Sequence, residues 1–160
     1  MTWVDALEVL NPSAPAFSAS DIDTPICLDE TIQSIKAAEQ AIQVGACRYI
    51  NIKPGRIGGL HNAKRVHDIA QNAGIPVWVG GMLESAIGGA ICIELATLEN
   101  FTYPGDLFAS SRFYVQDLSE PPTVLTDSNT FRPYEGKLPE PNPERLERQT
   151  VRKATVMSNA

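Results

Sequence analysis

From residue 24 onward, short apolar runs alternate with longer stretches in which apolar positions recur every three or four residues. Pro25-Ile26-Cys27-Leu28 reads as a buried strand closed by Asp29-Glu30. Thr31 to Val44 then follows a helical period, with Ile32, Ile35, Ala38, Ala41 and Ile42 on one side and Gly45 as a C-cap. Tyr49 to Lys53 predicts a second strand, ended by Pro54-Gly55. Leu60 to Asn72 predicts the next helix, with Ala63, Val66, Ile69 and Ala70 inward and Gly74 capping it. Pro76 to Val79 is a third strand, ended by Gly80-Gly81, and Ser85 to Leu98 a third helix carrying Ile87, Ile91 and Leu95 on its face. Asn100 to Tyr103 predicts a fourth, short strand before Pro104-Gly105-Asp106.

Strands alternating with helices of this length imply βαβ units and a parallel sheet, an α/β fold. Asp29 and Lys53 stand 24 residues apart and Lys53 and Gly80 stand 27 apart, a step that suits a closed barrel or a doubly wound sheet. A complete eight-fold barrel needs about 250 residues. The 160 residues here, with three full units and a fourth strand, therefore predict about half of one. The chain divides into an irregular segment over 1–23, a partial barrel over 24–116 and a tail over 117–160. Met1 to Leu10 reads as a helical turn or two, and Asn11 to Ser20, rich in Pro, Ser and Ala, as loop. In the tail, six prolines from Pro121 to Pro143 break regular structure. Asn142 to Arg152 reads as one exposed polar helix, with Glu144 and Arg148 placed for an i,i+4 pair.

Composition narrows the partners more than the fold. A net charge of −6 argues against a nucleic acid or an anionic membrane surface, since both select a basic face. No apolar run approaches the roughly 20 residues of a membrane span, and Met1-Thr2-Trp3-Val4-Asp5 does not read as a signal peptide. Cys27, Cys47 and Cys92 are isolated and odd in number, which predicts reduced thiols in a cytoplasmic protein.

In a parallel β/α sheet, chemistry gathers at the C-terminal ends of the strands. Those ends are Asp29-Glu30, Lys53, Gly80-Gly81-Met82 with Glu84 behind, and Asp106 with Ser110, Ser111 and Arg112. Asp29 has two open readings, a ligand for a hard cation such as Mg²⁺ or the N-cap of the following helix. Lys53 is either a base whose pKa desolvation lowers or a surface lysine. Gly80-Gly81 either admits substrate against backbone or makes a plain turn. Glu84 either hydrogen-bonds Lys53 or sits in a first helical turn. Pro54-Gly55-Arg56-Ile57-Gly58-Gly59 matches neither a phosphate loop nor a dinucleotide fingerprint. His61 and His67 lie six residues apart and share no helix face, so they are not a metal pair. Trp78 reads as core.

Thr24-Pro25-Ile26-Cys27-Leu28-Asp29-Glu30, Asn51-Ile52-Lys53-Pro54-Gly55-Arg56-Ile57-Gly58-Gly59-Leu60, Gly74 to Glu84, and Asn100 to Asp106 fall in order along the chain. Together they resemble the o-succinylbenzoate synthase / N-acylamino acid racemase branch of the muconate-lactonizing-like enolase superfamily, over about residues 24–122. The resemblance implies a TIM-type barrel domain of which this chain carries about strands five to eight. It implies that Asp29 is the third Mg²⁺ ligand and that Lys53 stands beside the substrate's α-carbon. Gly80, Gly81 and Met82, with Asp106 and Ser110, would line the pocket for a small carboxylate, while Asn51 and Glu84 would stand behind the reacting groups. In such enzymes Mg²⁺ binds the substrate carboxylate and stabilises an enediolate. The synthase then loses water to give o-succinylbenzoate for menaquinone synthesis, and the racemase reprotonates the opposite face.

The departures from that pattern carry their own expectations. Residues 1–23 hold no lysine, so the family's Lys-x-Lys motif has no counterpart there, and the first two metal ligands have none either. Gly89 stands where the family has a larger residue. Tyr134-Glu135-Gly136-Lys137 lacks the family's glycine-rich ending. One carboxylate holds Mg²⁺ poorly. The expectation is a chain inactive and weak in Mg²⁺ by itself, working with a missing N-terminal half or associating with itself. A non-catalytic half-barrel remnant is the other reading.

Overall fold

The computed structural model describes residues 23–155, so the reading of residues 1–23 as irregular lies almost wholly outside them. Three parallel strands, β1 (Cys27–Leu28), β2 (Tyr49–Ile52) and β3 (Val77–Val79), lie side by side in chain order. They alternate with α1 (Ile35–Gln43), α2 (Leu60–Asn72) and α3 (Ala86–Leu95), and a last helix, α4 (Pro143–Gln149), sits in the tail. Leu28 pairs with Ile50, and Ile50 with Val77, so the strands are in register and their C-terminal ends are level.

The register sorts the side chains onto two faces, because successive residues of a strand point opposite ways. Leu28, Ile50, Ile52, Val77 and Val79 are fully buried on the outer face. Against them pack Ala38 and Ala41 of α1, Ala63, Val66 and Ala70 of α2, and Cys92 and Leu95 of α3. Each Ile or Leu buried this way contributes about 1.5–3 kcal/mol. Alanines on the helices bring the helical backbones close to the sheet. The inner face carries Cys27, Asp29, Tyr49, Asn51, Lys53, Trp78 and Gly80, the pattern of a barrel interior.

Both α1 and α2 end in the same device. Gly45 and Gly74 take φ of +67° and +69°, a region closed to most side chains. The amides of the next residues, Ala46 and Ile75, then return to the carbonyls of Ala41 and Ala70 at 2.9 Å. This sharp stop turns the chain back under the sheet and sets the repeat length.

Several boundaries differ from the sequence reading. Ser34 caps α1, its hydroxyl accepting from the Ala37 amide at 3.1 Å, so the helix starts four residues later than the apolar period suggests. Asp29 is therefore not the cap. In α3 the buried residues are Ala86, Ala90, Cys92, Ile93 and Leu95, while Ile87 and Ile91 are only half-buried. The helix is apolar nearly all round, so its sequence does not mark one face. The fourth strand is reduced to two single bridges, Val77 with Phe101 and Gly80 with Asp106. Pro104, which has no N–H to give a ladder, lies between them. α4 is shorter than expected, and Glu144 and Arg148 do not pair. Arg148 instead donates to Gln116 at 2.5 Å and Arg145 pairs with Glu120 at 2.7 Å.

Candidate active site

Asp29, Lys53 and Gly80 follow β1, β2 and β3 directly, so three adjacent strand ends bring them together. The Asp29 carboxylate is buried, and each of its oxygens has a cationic partner. Lys53 Nζ donates to Oδ2 at 3.0 Å. Arg56, three residues further along in the turn after β2, donates to Oδ1. The Arg56 guanidinium also lies 3.5 Å from Glu30, which is otherwise exposed to solvent. Both cations are themselves mostly sheltered, which makes the triad stronger than a surface ion pair. Arg56 did not emerge from the sequence because only the folded turn carries it back to a carboxylate 27 residues earlier.

Asn51 lies one step inward from Lys53 on the same face. It is 1% exposed, and neither its amide oxygen nor its amide nitrogen has a hydrogen-bond partner among the described residues. Gly80 faces both residues. A Cβ at position 80 would fall 2.6 Å from Asn51 Nδ2 and 2.6 Å from Lys53 Cε, closer than any carbon can stand. Glycine is required here by space, not by an unusual φ. Gly80→Ala should cost about 1–3 kcal/mol, the usual penalty for overpacking. A thermal melt reads this directly; an unchanged midpoint would mean that the strand end can yield.

The rest of the rim is backbone chemistry. The Gly81 N–H donates to the Asp106 carbonyl at 2.7 Å, and the Asp106 N–H donates to Val79 at 2.9 Å, so Asp106 is held at the rim through its main chain. Met82 is half-exposed beside it. Glu84 accepts from the Met82 N–H at 2.5 Å; it neither meets Lys53 nor lies inside α3. Its role is to fix the turn that carries Gly80 to Met82.

Ser110 is buried in a different cluster, where its hydroxyl accepts from the Thr123 N–H at 3.3 Å. Next to it is Asp117, which sequence reasoning missed. The Asp117 carboxylate accepts from the Ala86 N–H at 2.9 Å and from the Ser119 N–H at 3.0 Å. It thereby caps the start of α3 from 31 residues away. Burial alone would raise this carboxyl, but hydrogen bonds from Ser110, Ser119 and Ala86 outweigh it and hold the group below its usual range. Arg145 of α4 donates to the carbonyls of Asp117 and Ser119, tying the tail to the same point.

The cysteines are free and buried, and burial pushes Cys47 and Cys92 up to about 12. Such thiols are poor nucleophiles. Cys27 is likewise raised by burial, and its sulfur accepts from the Trp78 indole at 3.2 Å. Trp78 is half-buried on the inner face and not in the sealed core. Towards the N-terminal ends of the strands, Thr24, Pro25, Tyr49, Trp78, Tyr103 and Pro104 line an apolar hollow of about 470 Å³. His67 is buried in α2, stacked on Phe101, and is not a site residue.

The cation question turns on Asp29. Among the described residues no three His, Cys, Asp or Glu side chains gather as a metal site. The Asp29 carboxylate is already engaged by two protein cations. These residues do not by themselves fit Mg²⁺, which prefers near-octahedral oxygen coordination. None of the helices among them is long and apolar enough to cross a membrane.

A parallel β/α arc with charged side chains converging at its C-terminal ends defines the class: part of a TIM-type barrel enzyme fold. Residues 5–134 match the Enolase C-terminal domain-like family, and the chain belongs to that family. It is 56% identical over 103 residues to the N-succinylamino acid racemase of an Amycolatopsis species, covering 64% of this chain and 28% of that protein. It is 54% identical over 100 residues to the o-succinylbenzoate synthase of Geobacillus stearothermophilus, covering 62% and 27%. Among solved structures it is similar to a probable mandelate racemase from Alicyclobacillus acidocaldarius, with TM-score 0.74 and 29% identity over 83% of this chain and 35% of that one. The chain thus spans little more than a quarter of the curated relatives' length.

Proposed function

We propose that this chain supplies the strand-five-to-eight side of an o-succinylbenzoate synthase active site and is inactive without the other side. The observation that carries this reading is the Asp29–Lys53 pair at neighbouring strand ends, in a chain 54% identical over 100 residues to such a synthase. Lys53 is the group that faces the substrate's α-carbon, where a sheltered ammonium stabilises developing negative charge or moves a proton. Gly80, Gly81 and Met82 form the wall against which a small carboxylate lies, with Asp106 at its rim, while Ser110, buried in the Asp117 cluster, anchors the loop that follows. Asn51 and Glu84 support these groups from behind. In the complete enzyme Mg²⁺ would be held chiefly by carboxylates that the described residues do not contribute.

The apolar hollow on the inner face supports the same reading. Tyr49, Trp78 and Tyr103 line a hollow where a closed barrel is filled by side chains. Among the described residues β1 also has no strand on its outer edge. Such surfaces favour association with the complementary half or with a second copy. Racemisation of N-succinylamino acids is the second reading, favoured by the 56% identity to a racemase of that name.

Complementation tests this. The chain alone with Mg²⁺ should show no dehydration of the synthase substrate and should associate in light scattering. Mixing it with the N-terminal portion of a family enzyme should restore turnover. Product absorbance then reports dehydration, and optical rotation with an N-succinylamino acid reports racemisation. Turnover by the chain alone would overturn the reading.

A further inference from the structure

α4 lies far along the chain from Gly80, yet its contacts run back to that strand end without a break. The Asn142 N–H donates to the Leu118 carbonyl at 2.9 Å and Ser119 bridges to Pro141, so the start of α4 is stitched to the 117–119 turn. The mostly sheltered Arg145 guanidinium donates to the carbonyls of Asp117 and Ser119 at 3.1 and 3.2 Å. The same stretch grips α3 by its first residue. Asp117 accepts from the Ala86 N–H at 2.9 Å, and the Thr123 hydroxyl donates to the Ala86 carbonyl at 3.3 Å. The first turn of α3 then fixes Glu84. A Cβ at Gly88 would stand 2.8 Å from Glu84 Cγ, so the Glu84 stem lies against that glycine, and its carboxylate accepts from the Met82 N–H at 2.5 Å.

We propose that Arg145 is a positioning residue for the substrate wall. Through the 117–119 turn and the start of α3 it sets where Glu84 holds the Met82 amide, and so how Gly80, Gly81 and Met82 are presented. The inference rests on reading those three residues as the wall of the site. Arginine suits the task because its planar fork holds several acceptors in a fixed geometry. Here Nη1 takes the two carbonyls and Nη2 takes Glu120 at 2.7 Å. Glu120 is exposed, so that ion pair is weak and the hold comes from the carbonyls. The wall itself is open to solvent at Met82 and Leu83, and its backbone depends on such anchors. Tyr114, just ahead of the same turn, adds one more by donating its hydroxyl to the Leu83 carbonyl. Asp29 and Lys53 follow other strands, outside this run of contacts. A shifted wall therefore weakens the hold on substrate and leaves the charged pair in place.

Two readouts test this, the first without turnover. In isotopically labelled chain, Arg145→Ala should shift the amide resonances of Ser119, Ala86 and Met82 and leave those of Tyr49 and Ile50 in β2 where they were. In a Glu84→Ala background the same change should still reach Ala86 and no longer reach Met82. An unmoved Met82 in the first case, or an equal shift in the second, would overturn the proposal. Arg145→Lys keeps the charge but not the fork, and should give the same pattern at smaller amplitude. It decides if Arg145→Ala melts too low for spectroscopy. In the complemented assembly, Arg145→Ala should raise KM about tenfold and change kcat by less than about twofold, with Arg145→Lys recovering most of the loss. A fall in kcat at unchanged KM would mark a merely structural role and count against the proposal. If no complemented assembly turns over, the proposed function fails by itself, and the Met82 resonance still decides this inference.

Discussion

In a complemented, turning-over assembly, Lys53→Ala should lower kcat by a factor of about 10³, within the range of about 10²–10⁴ that a positioned acid–base group contributes. The structure argues that this loss is chemical and not a loss of fold. Lys53 occupies only one oxygen of Asp29; the other stays on Arg56, so no bare charge is left buried. The melting temperature should therefore fall far less than the activity. Lys36→Ala, on the exposed side of α1, serves as the control and should leave both unchanged. A complemented assembly indifferent to Lys53→Ala would place the chemistry elsewhere.

The largest stability effect is expected at Asp117. Asp117→Ala removes the cap of α3, worth about 1 kcal/mol. It also strands the buried amides of Ala86 and Ser119, at about 1–3 kcal/mol each. Because the cap and the Ala86 amide are one interaction, a net loss of about 2–6 kcal/mol is expected, visible as a reduced midpoint in urea. The effect carries a pH signature. The carboxyl is held below its ordinary range in the folded chain, so the stabilisation is fully present above the unfolded carboxyl value of about 4. It is lost as pH falls through the lower folded value. The gap in stability between the native chain and Asp117→Asn should accordingly be constant near neutrality and shrink in acid. A gap that does not change in acid would mean the charge itself contributes nothing.

Local pattern made some of this legible and left some of it hidden. α2 runs over the residues its apolar period marks and Gly74 stops it, but its buried positions are Ala63, Val66, His67 and Ala70, with Ile69 only half-buried. Asp29, Lys53 and Gly80 were readable as strand ends because each follows a short run of β-branched or apolar residues. Arg56 and Asp117 were not, since each acts across about 30 residues through a turn or tail whose path no periodicity records. Ile87 and Ile91 misled because an all-apolar helix offers no contrast. The fourth strand, read over Asn100 to Tyr103, forms only single bridges at Phe101 and Asp106, and Pro104 between them has no N–H to extend a ladder from one to the other.

The two-faced sheet has a consequence for the order of assembly. The aliphatic layer between strands and helices is built from units 24 and 27 residues long, each packing on its neighbour in sequence. Contacts of such short span close with little loss of chain entropy and form early. The ion triad and the Asp117 cap instead wait for a turn to settle and for the tail to return. Folding followed by hydrogen exchange should find the amides of β2 and β3 protected first and those around Ala86 and Ser119 last, so that the outer layer matures before the strand ends become competent.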